Sequence, residues 1–126
     1  MTSVWIAPRP LLLASTSRTR RLLLEQAGLP IDVEAPGVDE RAVKTAARDD
    51  RPTSTELALR LAAEKALAVS RRHPDRLVLG ADQVLECGTE VFHKPSNRQE
   101  AHGQLAALSG RTHALRSAAA LPAAEP

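Results

Sequence analysis

LLLASTSRTRR, the stretch from residue 11 to residue 21, changes abruptly from an apolar run to hydroxyls and guanidiniums just before a helical pattern begins. An apolar run bounded by small polar residues predicts a buried strand, and the leucines that follow predict a short helix ending at Gly28. At such a junction the unpaired N–H groups of the first helical turn favour an anion, and arginine matches phosphate oxygens. The stretch therefore predicts a phosphate site. An alternative stays open: Ser15 or Ser17 serves only as an N-cap and the arginines form a solvated face.

The composition is that of a single globular domain. With 126 residues, 43% hydrophobic and 25% charged, the chain is long enough for one core. We expect one domain over residues 1–126, or one lobe of something larger, frayed at residues 1–9 and 122–126. No window is apolar for long enough to span a membrane, and the first residues lack the pattern of a secretory signal, so we expect a cytoplasmic location.

Charge and aromatic content argue against nucleic acid as a partner. The net charge is only +2 and aromatic residues make up 2% of the chain, so long basic runs and stacking rings are both missing. The single cysteine, Cys87, excludes an intramolecular disulfide.

The surest predicted helix begins at Thr53, which forms a capping box with Glu56, and continues to Ser70. Lys65 falls within the apolar stripe of this helix rather than on its outer face. Two interpretations stay open: the side chain extends along apolar surface to place its ammonium in water, or it directs a positive charge into a cleft.

Two further charged residues are predicted at strand ends. Asp82 follows the apolar strand 77–79, where open sheets carry their chemistry, although an Asp after Gly80 often serves only a turn. Lys94 follows a short strand at Val91 and Phe92 and precedes a proline that should end it.

The remaining elements predict an α/β chain. We expect a half-exposed strand at 31–35, a loop with at most a weak helix at 38–52, a hairpin turn at 87–90, a helix opened by a capping box of Ser96 with Gln99 and closed at Gly110, and a last strand at 112–121.

Six phrases in this order resemble the Maf family of nucleoside triphosphate pyrophosphatases: LASTSRTRRLLL, VDE, LRLAAEKA, GADQV, KP and LSGRTH. They cover residues 11–117. The resemblance implies a Maf-like, ITPase-like architecture in which helices flank a mixed sheet. Family members continue beyond the last strand, so the resemblance also implies a C-terminally truncated fold with an unpaired edge on that strand, and an active site that dimer contacts could close.

Within the family, the pattern is similar to the branch of 7-methyl-GTP pyrophosphatases, which have STSxxRR in the first loop and Gln at the position of Gln83. The branch that acts on dTTP and UTP has Arg in place of Thr19 and Thr in place of Gln83. The resemblance therefore implies that Thr19 and Gln83 contribute to the choice of base.

By the same resemblance, Asp82 is the proton acceptor and Glu40 a second acidic group near the metal or water. The expected substrate-binding residues are Ser15, Ser17, Arg20, Arg21, Lys65 and Lys94. The expected cofactor is a divalent cation, Mg²⁺, held by Asp82, Glu40 and substrate phosphates. The implied reaction is attack of water on the α phosphorus of a modified or non-standard nucleoside triphosphate, which yields a nucleoside monophosphate and pyrophosphate. Two alternatives remain: a catalytically weak or inactive nucleotide-binding paralogue, and a regulatory protein linked to division arrest.

Overall fold

Strands and helices alternate along the chain in the computed structural model, which describes residues 5–122 and confirms the predicted α/β class. The elements in chain order are β1 (Leu11–Ala14), α1 (Arg18–Gln26), β2 (Ile31–Glu34), α2 (Glu40–Ala47), a 3₁₀ turn (Arg48–Asp50), α3 (Ser54–Arg72), β3 (Val78–Cys87), β4 (Glu90–Phe92), α4 (Arg98–Leu108) and β5 (Ala114–Ala120). Within this part of the chain no helix is long and apolar enough to cross a membrane.

The five strands form one mixed sheet with β3 at its centre. β1 is parallel to both β2 and β3, whereas β4 and β5 are antiparallel to β3. Gly80 pairs with residues of both β1 and β5, and Leu85 pairs with residues of both β4 and β5. β1 and β4 therefore share one edge of β3, and β5 occupies the other. Between Gly80 and Leu85, no described strand pairs with the first edge, so the sheet splits there.

Helix α3 covers one face of the sheet beside this split. Its Ala66 and Val69 pack with Leu12, Ala14 and Val78 in a buried apolar cluster. The helix can approach so closely because β3 carries Gly80 beneath it. A Cβ added at Gly80 would overlap the carbonyl oxygen of Ala62 and would lie 2.7 Å from Ala66 Cβ. Asp82 is two positions further along β3, so its side chain lies on the face that α3 covers, since alternate side chains of a strand share a face.

The N-terminal caps confirm one prediction and correct another. Thr53 Oγ1 accepts a hydrogen bond from the Glu56 N–H at 3.1 Å, as the sequence predicts for α3. The cap of α4 was predicted one residue too early, at Ser96. Asn97 Oδ1 accepts from the Glu100 N–H at 2.8 Å, and the Glu100 carboxylate accepts from the Ser96 N–H at 2.8 Å. An Asn directly after the Ser offers the helix a better-placed oxygen.

Two other predictions differ from the structure. Residues 38–52 are not mainly loop, because Asp39 caps the regular helix α2 by accepting from the Ala42 N–H at 3.1 Å. Asp82 does not follow a strand that has ended: β3 continues to Cys87, because β5 pairs with it from Gly80 to Glu86. That pairing joins segments far apart in the sequence, so the local pattern gave no sign of it.

Predictions were also made for the two chain ends and for the last strand. Residues 1–4 and 123–126, where fraying was expected, lie outside the described residues, whereas Arg9 pairs with Asp75 at 2.6 Å. The last strand is two residues shorter at its start than predicted and pairs, within the described part, only with β3.

Candidate functional site

The split in the sheet opens into a cavity of about 860 Å³. Its wall includes the loop between β1 and α1, the middle of β3 and the residues after β4, together with side chains of α2 and α3. Nine of the ten predicted site residues line this cavity: Ser15, Ser17, Thr19, Arg20, Glu40, Lys65, Asp82, Gln83 and Lys94. The fold therefore brings together side chains that are far apart in the sequence.

The loop after β1 serves as a helix cap and as a wall of the cavity at the same time. Ser17 Oγ accepts from the Arg20 N–H at 3.2 Å and caps α1. Ser15, which is buried, accepts from the Ser17 N–H at 3.0 Å through its hydroxyl and makes a longer contact of 3.4 Å with the Arg20 guanidinium. The two interpretations of this stretch are thus compatible, because the capping hydrogen bonds hold both serines and Arg20 against the cavity.

An ammonium group between two carboxylates lies at the centre of the site. Lys65 Nζ contacts Asp82 Oδ1 at 2.8 Å and Glu40 Oε1 at 2.7 Å. The side chains of Lys65 and Asp82 are buried, each 10% exposed, whereas the Glu40 side chain is 46% exposed. Lys65 therefore does not extend into water but directs its charge into the cleft, and it links α2, α3 and β3.

The contacts shift the pKa values of two members of this triad. The hydrogen bond from Lys65 lowers the pKa of Glu40; burial opposes it, and the charges of Lys65, Lys44 and Arg20 lower the pKa further. Burial alone would lower the pKa of Lys65, but its hydrogen bonds to Asp82 and Glu40 outweigh burial and raise that pKa. Both groups are therefore held in their charged forms at neutral pH.

Arg21 lies apart from the other predicted residues. Its guanidinium pairs with Glu25 at 2.7 Å, one turn along α1, and the residue does not line the cavity. Thr19 and Gln83, the predicted specificity residues, both line it.

Among the cavity residues that sequence reasoning missed are two that contact each other, Lys44 on α2 and His93 after β4. Lys44 Nζ lies 2.9 Å from His93 Nδ1. One signal was available: Lys44 is four residues after Glu40, so the two share a face of any helix that contains both. Because residues 38–52 were predicted to be mainly loop, this helical spacing was not used.

A divalent cation fits this site only with help from a ligand. Glu40 and Asp82 each use one carboxylate oxygen for Lys65, and each has a second oxygen without a hydrogen bond in the described part of the chain. Among residues 5–122, no group of three or more His, Cys, Asp or Glu side chains is arranged to hold a metal ion. Two carboxylate oxygens suit Mg²⁺, which keeps several waters and commonly completes its coordination with substrate phosphates.

The split sheet, the loop after β1 and the charged side chains of the cavity wall define an α/β protein with a polar cleft beside its central strand. Comparison with protein families gives a match over nearly the whole chain: the sequence model of the Maf-like protein family matches residues 10–125. The chain belongs to the Maf family.

Individual relatives carry names of enzymes. The chain is 50% identical over 119 residues to a nucleoside triphosphate pyrophosphatase of Rhodopseudomonas palustris (strain BisB18), a match that covers 94% of this chain and 58% of the relative. It is 49% identical, with the same coverage, to a protein of that name from Nitrobacter winogradskyi. It is 48% identical over 111 residues to a 7-methyl-GTP pyrophosphatase of Mesorhizobium japonicum, covering 88% of this chain and 56% of that relative. The chain thus spans somewhat more than half the length of these curated relatives.

Proposed function

We propose that this protein is a nucleoside triphosphate pyrophosphatase, which cleaves its substrate between the α and β phosphates to give a nucleoside monophosphate and pyrophosphate. One observation carries the proposal: Lys65 lies within 3 Å of both Glu40 and Asp82, and all three line a cavity that the loop after β1 also lines. The names of the relatives support the same reaction.

Asp82 is suited to accept the proton of the attacking water. Lys65 holds its Oδ1, which fixes the carboxylate and leaves Oδ2 for a water molecule. As the water oxygen bonds to the α phosphorus, the bond to the bridging oxygen breaks, and its electron pair leaves with pyrophosphate. Negative charge grows on the phosphoryl oxygens, and the cations of the cavity stabilise it in place of water.

Glu40 would hold a divalent cation, Mg²⁺, through its second oxygen, and Asp82 Oδ2 would share in holding it, because a carboxylate oxygen has two lone pairs and can accept from water with the other. Such an ion supplies Lewis-acid polarisation of a phosphoryl oxygen. Lys65 keeps the two carboxylates together before any ion arrives, because its single ammonium is bonded to both.

The substrate we propose is a modified or non-standard nucleoside triphosphate, such as 7-methyl-GTP. Gln83 and Thr19 line the cavity and offer an amide and a hydroxyl to a base. A relative named 7-methyl-GTP pyrophosphatase supports this choice. A cytoplasmic location and a homodimer stay predictions.

Release of pyrophosphate from a panel of nucleoside triphosphates, measured with Mg²⁺ present, tests the proposal. Asp82→Asn keeps the shape of the side chain and removes its basic oxygen, so we expect turnover to fall at least about 100-fold, within the range of general-base catalysis. Asp49→Asn is the matched control, since Asp49 is exposed and lies outside the cavity. Equal turnover by the Asp82 variant and the wild type would refute the role of Asp82. Calorimetric binding of a triphosphate without product would identify a nucleotide-binding protein instead, and neither binding nor product would favour a regulatory role.

A further inference from the structure

Lys44 and His93 meet across the cavity wall, far from each other in the sequence. Lys44 lies on α2, four residues after Glu40, and its Nζ approaches Nδ1 of His93 at 2.9 Å. Both residues also line a second cavity, of about 770 Å³, between α2, β4 and α4. The pair therefore lies at the junction of the two cavities.

The charge balance of the first cavity leaves Lys44 available for a ligand. The lining includes five cationic side chains, those of Arg18, Arg20, Lys44, Lys65 and Lys94, and two carboxylates, those of Glu40 and Asp82. Both carboxylates are paired with Lys65. Among the described residues no carboxylate lies within salt-bridge distance of the other four cations, so the cavity has an excess of three positive charges.

The contact also sets the hydrogen-bonding state of His93. Partial burial lowers the pKa of His93, and the charge of Lys44 lowers it further, which favours the neutral ring. An ammonium has only donors, so Nδ1 must accept from Lys44, and the ring proton resides on Nε2. The pair therefore offers a ligand only donors: the remaining protons of the ammonium and the Nε2 N–H.

We propose that Lys44 and His93 bind the pyrophosphate end of the substrate, that is, the phosphates that leave as pyrophosphate. This inference rests on the proposed pyrophosphatase function. Glu40 and Asp82 mark where the α phosphorus reacts, and Lys44 is one helical turn from Glu40, about 5–6 Å between side-chain bases. A chain of phosphates can cover that distance. Donors without acceptors at this position match the charge that accumulates on the leaving group.

Binding of inorganic pyrophosphate with Mg²⁺, measured by calorimetry, tests the proposal without requiring turnover. We expect Lys44→Gln to raise the dissociation constant for pyrophosphate about tenfold, the loss of a charge-assisted contact worth ~1.4 kcal/mol. Binding of a nucleoside monophosphate should change by less than about twofold. The matched control is Arg71→Gln, which removes the same charge from an exposed site outside both cavities.

NMR titration of His93 gives a second, independent measurement. The pKa of His93 should rise in Lys44→Gln, because a neighbouring positive charge is removed, and it should rise in the wild type when pyrophosphate binds. If Lys44→Gln and Arg71→Gln bind pyrophosphate equally, if the wild type does not bind it, or if pyrophosphate leaves His93 unshifted, the proposal is wrong. If the protein shows no turnover but binds pyrophosphate in a way that depends on Lys44, the proposed pyrophosphate site is supported and only the proposed function is wrong.

Discussion

Replacing Gly80 by alanine should test how the fold positions the triad of Glu40, Lys65 and Asp82. Gly80 lies on β3 directly beneath α3, two residues before Asp82. The added Cβ would overlap the Ala62 carbonyl oxygen and approach the Ala66 N at 2.9 Å. These neighbours are backbone atoms of a helix, so no side-chain rotation can relieve the overlap, and α3 must move away from the sheet as a unit.

The expected loss of stability follows from that displacement. Inserting one carbon into a packed core typically costs about 1–3 kcal/mol, and the loss is larger where backbone must shift. We expect Gly80→Ala to reduce the free energy of unfolding by about 3 kcal/mol, a large fraction of the total stability of a small domain. Because Lys65 is carried by the displaced helix, its hydrogen bond to Asp82 should lengthen, and nucleotide binding should weaken as well.

Urea unfolding of Gly80→Ala beside Gly103→Ala provides the measurement and its control. Gly103 lies within α4, and a Cβ there would meet no atom within 4 Å. Alanine at an open helical position should stabilise the protein by about 0.5–1 kcal/mol. Opposite signs for the two substitutions are therefore expected. A loss below about 1 kcal/mol for Gly80→Ala would refute the inference that the approach of α3 depends on this glycine.

Two further predictions concern the triad. Lys65→Met should lower the free energy of unfolding by about 3 kcal/mol, since it leaves the buried Asp82 carboxylate unpaired. Lys65→Arg should lose less stability, because it keeps the positive charge. Equal stability of the wild type and Lys65→Met in urea unfolding would contradict this prediction. The lowered pKa of Glu40 means that its stabilisation is present above its unfolded pKa, near 4.5, and is lost as the pH falls through the lower folded value. Glu40→Gln should therefore flatten the loss of stability below about pH 4.5, and an unchanged acid limb in thermal unfolding would disprove the linkage.

Local sequence signals were enough for elements whose causes are local. Thr53 and Glu56 predict the start of α3 correctly, because both partners of the capping hydrogen bond lie within one turn of the helix. The hairpin between β3 and β4 follows from Gly88, whose φ of +61° suits a residue without Cβ. The same kind of signal placed Lys65 on the buried side of α3, where the structure finds it.

Elements whose causes are distant could not be predicted in this way. The strand through Asp82 exists because β5, more than thirty residues later, pairs with it. α2 has a polar sequence, and its regularity depends on the Asp39 cap and on Ala47, the one residue of this helix that is buried. Missing α2 had a consequence for the site, because without the helix nothing placed Lys44 on the face that carries Glu40.

The triad explains how a split sheet can remain open. Apolar side chains at the gap in the sheet would favour closure, because burial of apolar surface is the main driving force for packing. Here the gap is instead bounded by Glu40 of α2, Asp82 of β3 and Lys65 of α3, and one ammonium bonds both carboxylates. A buried ion pair contributes little net stability compared with apolar packing, so its value lies in geometry rather than in stability. Three elements are thereby fixed around a polar opening, and none of the four other cations of the cavity wall has a described carboxylate within salt-bridge distance, which is why we propose them as contacts for the substrate phosphates.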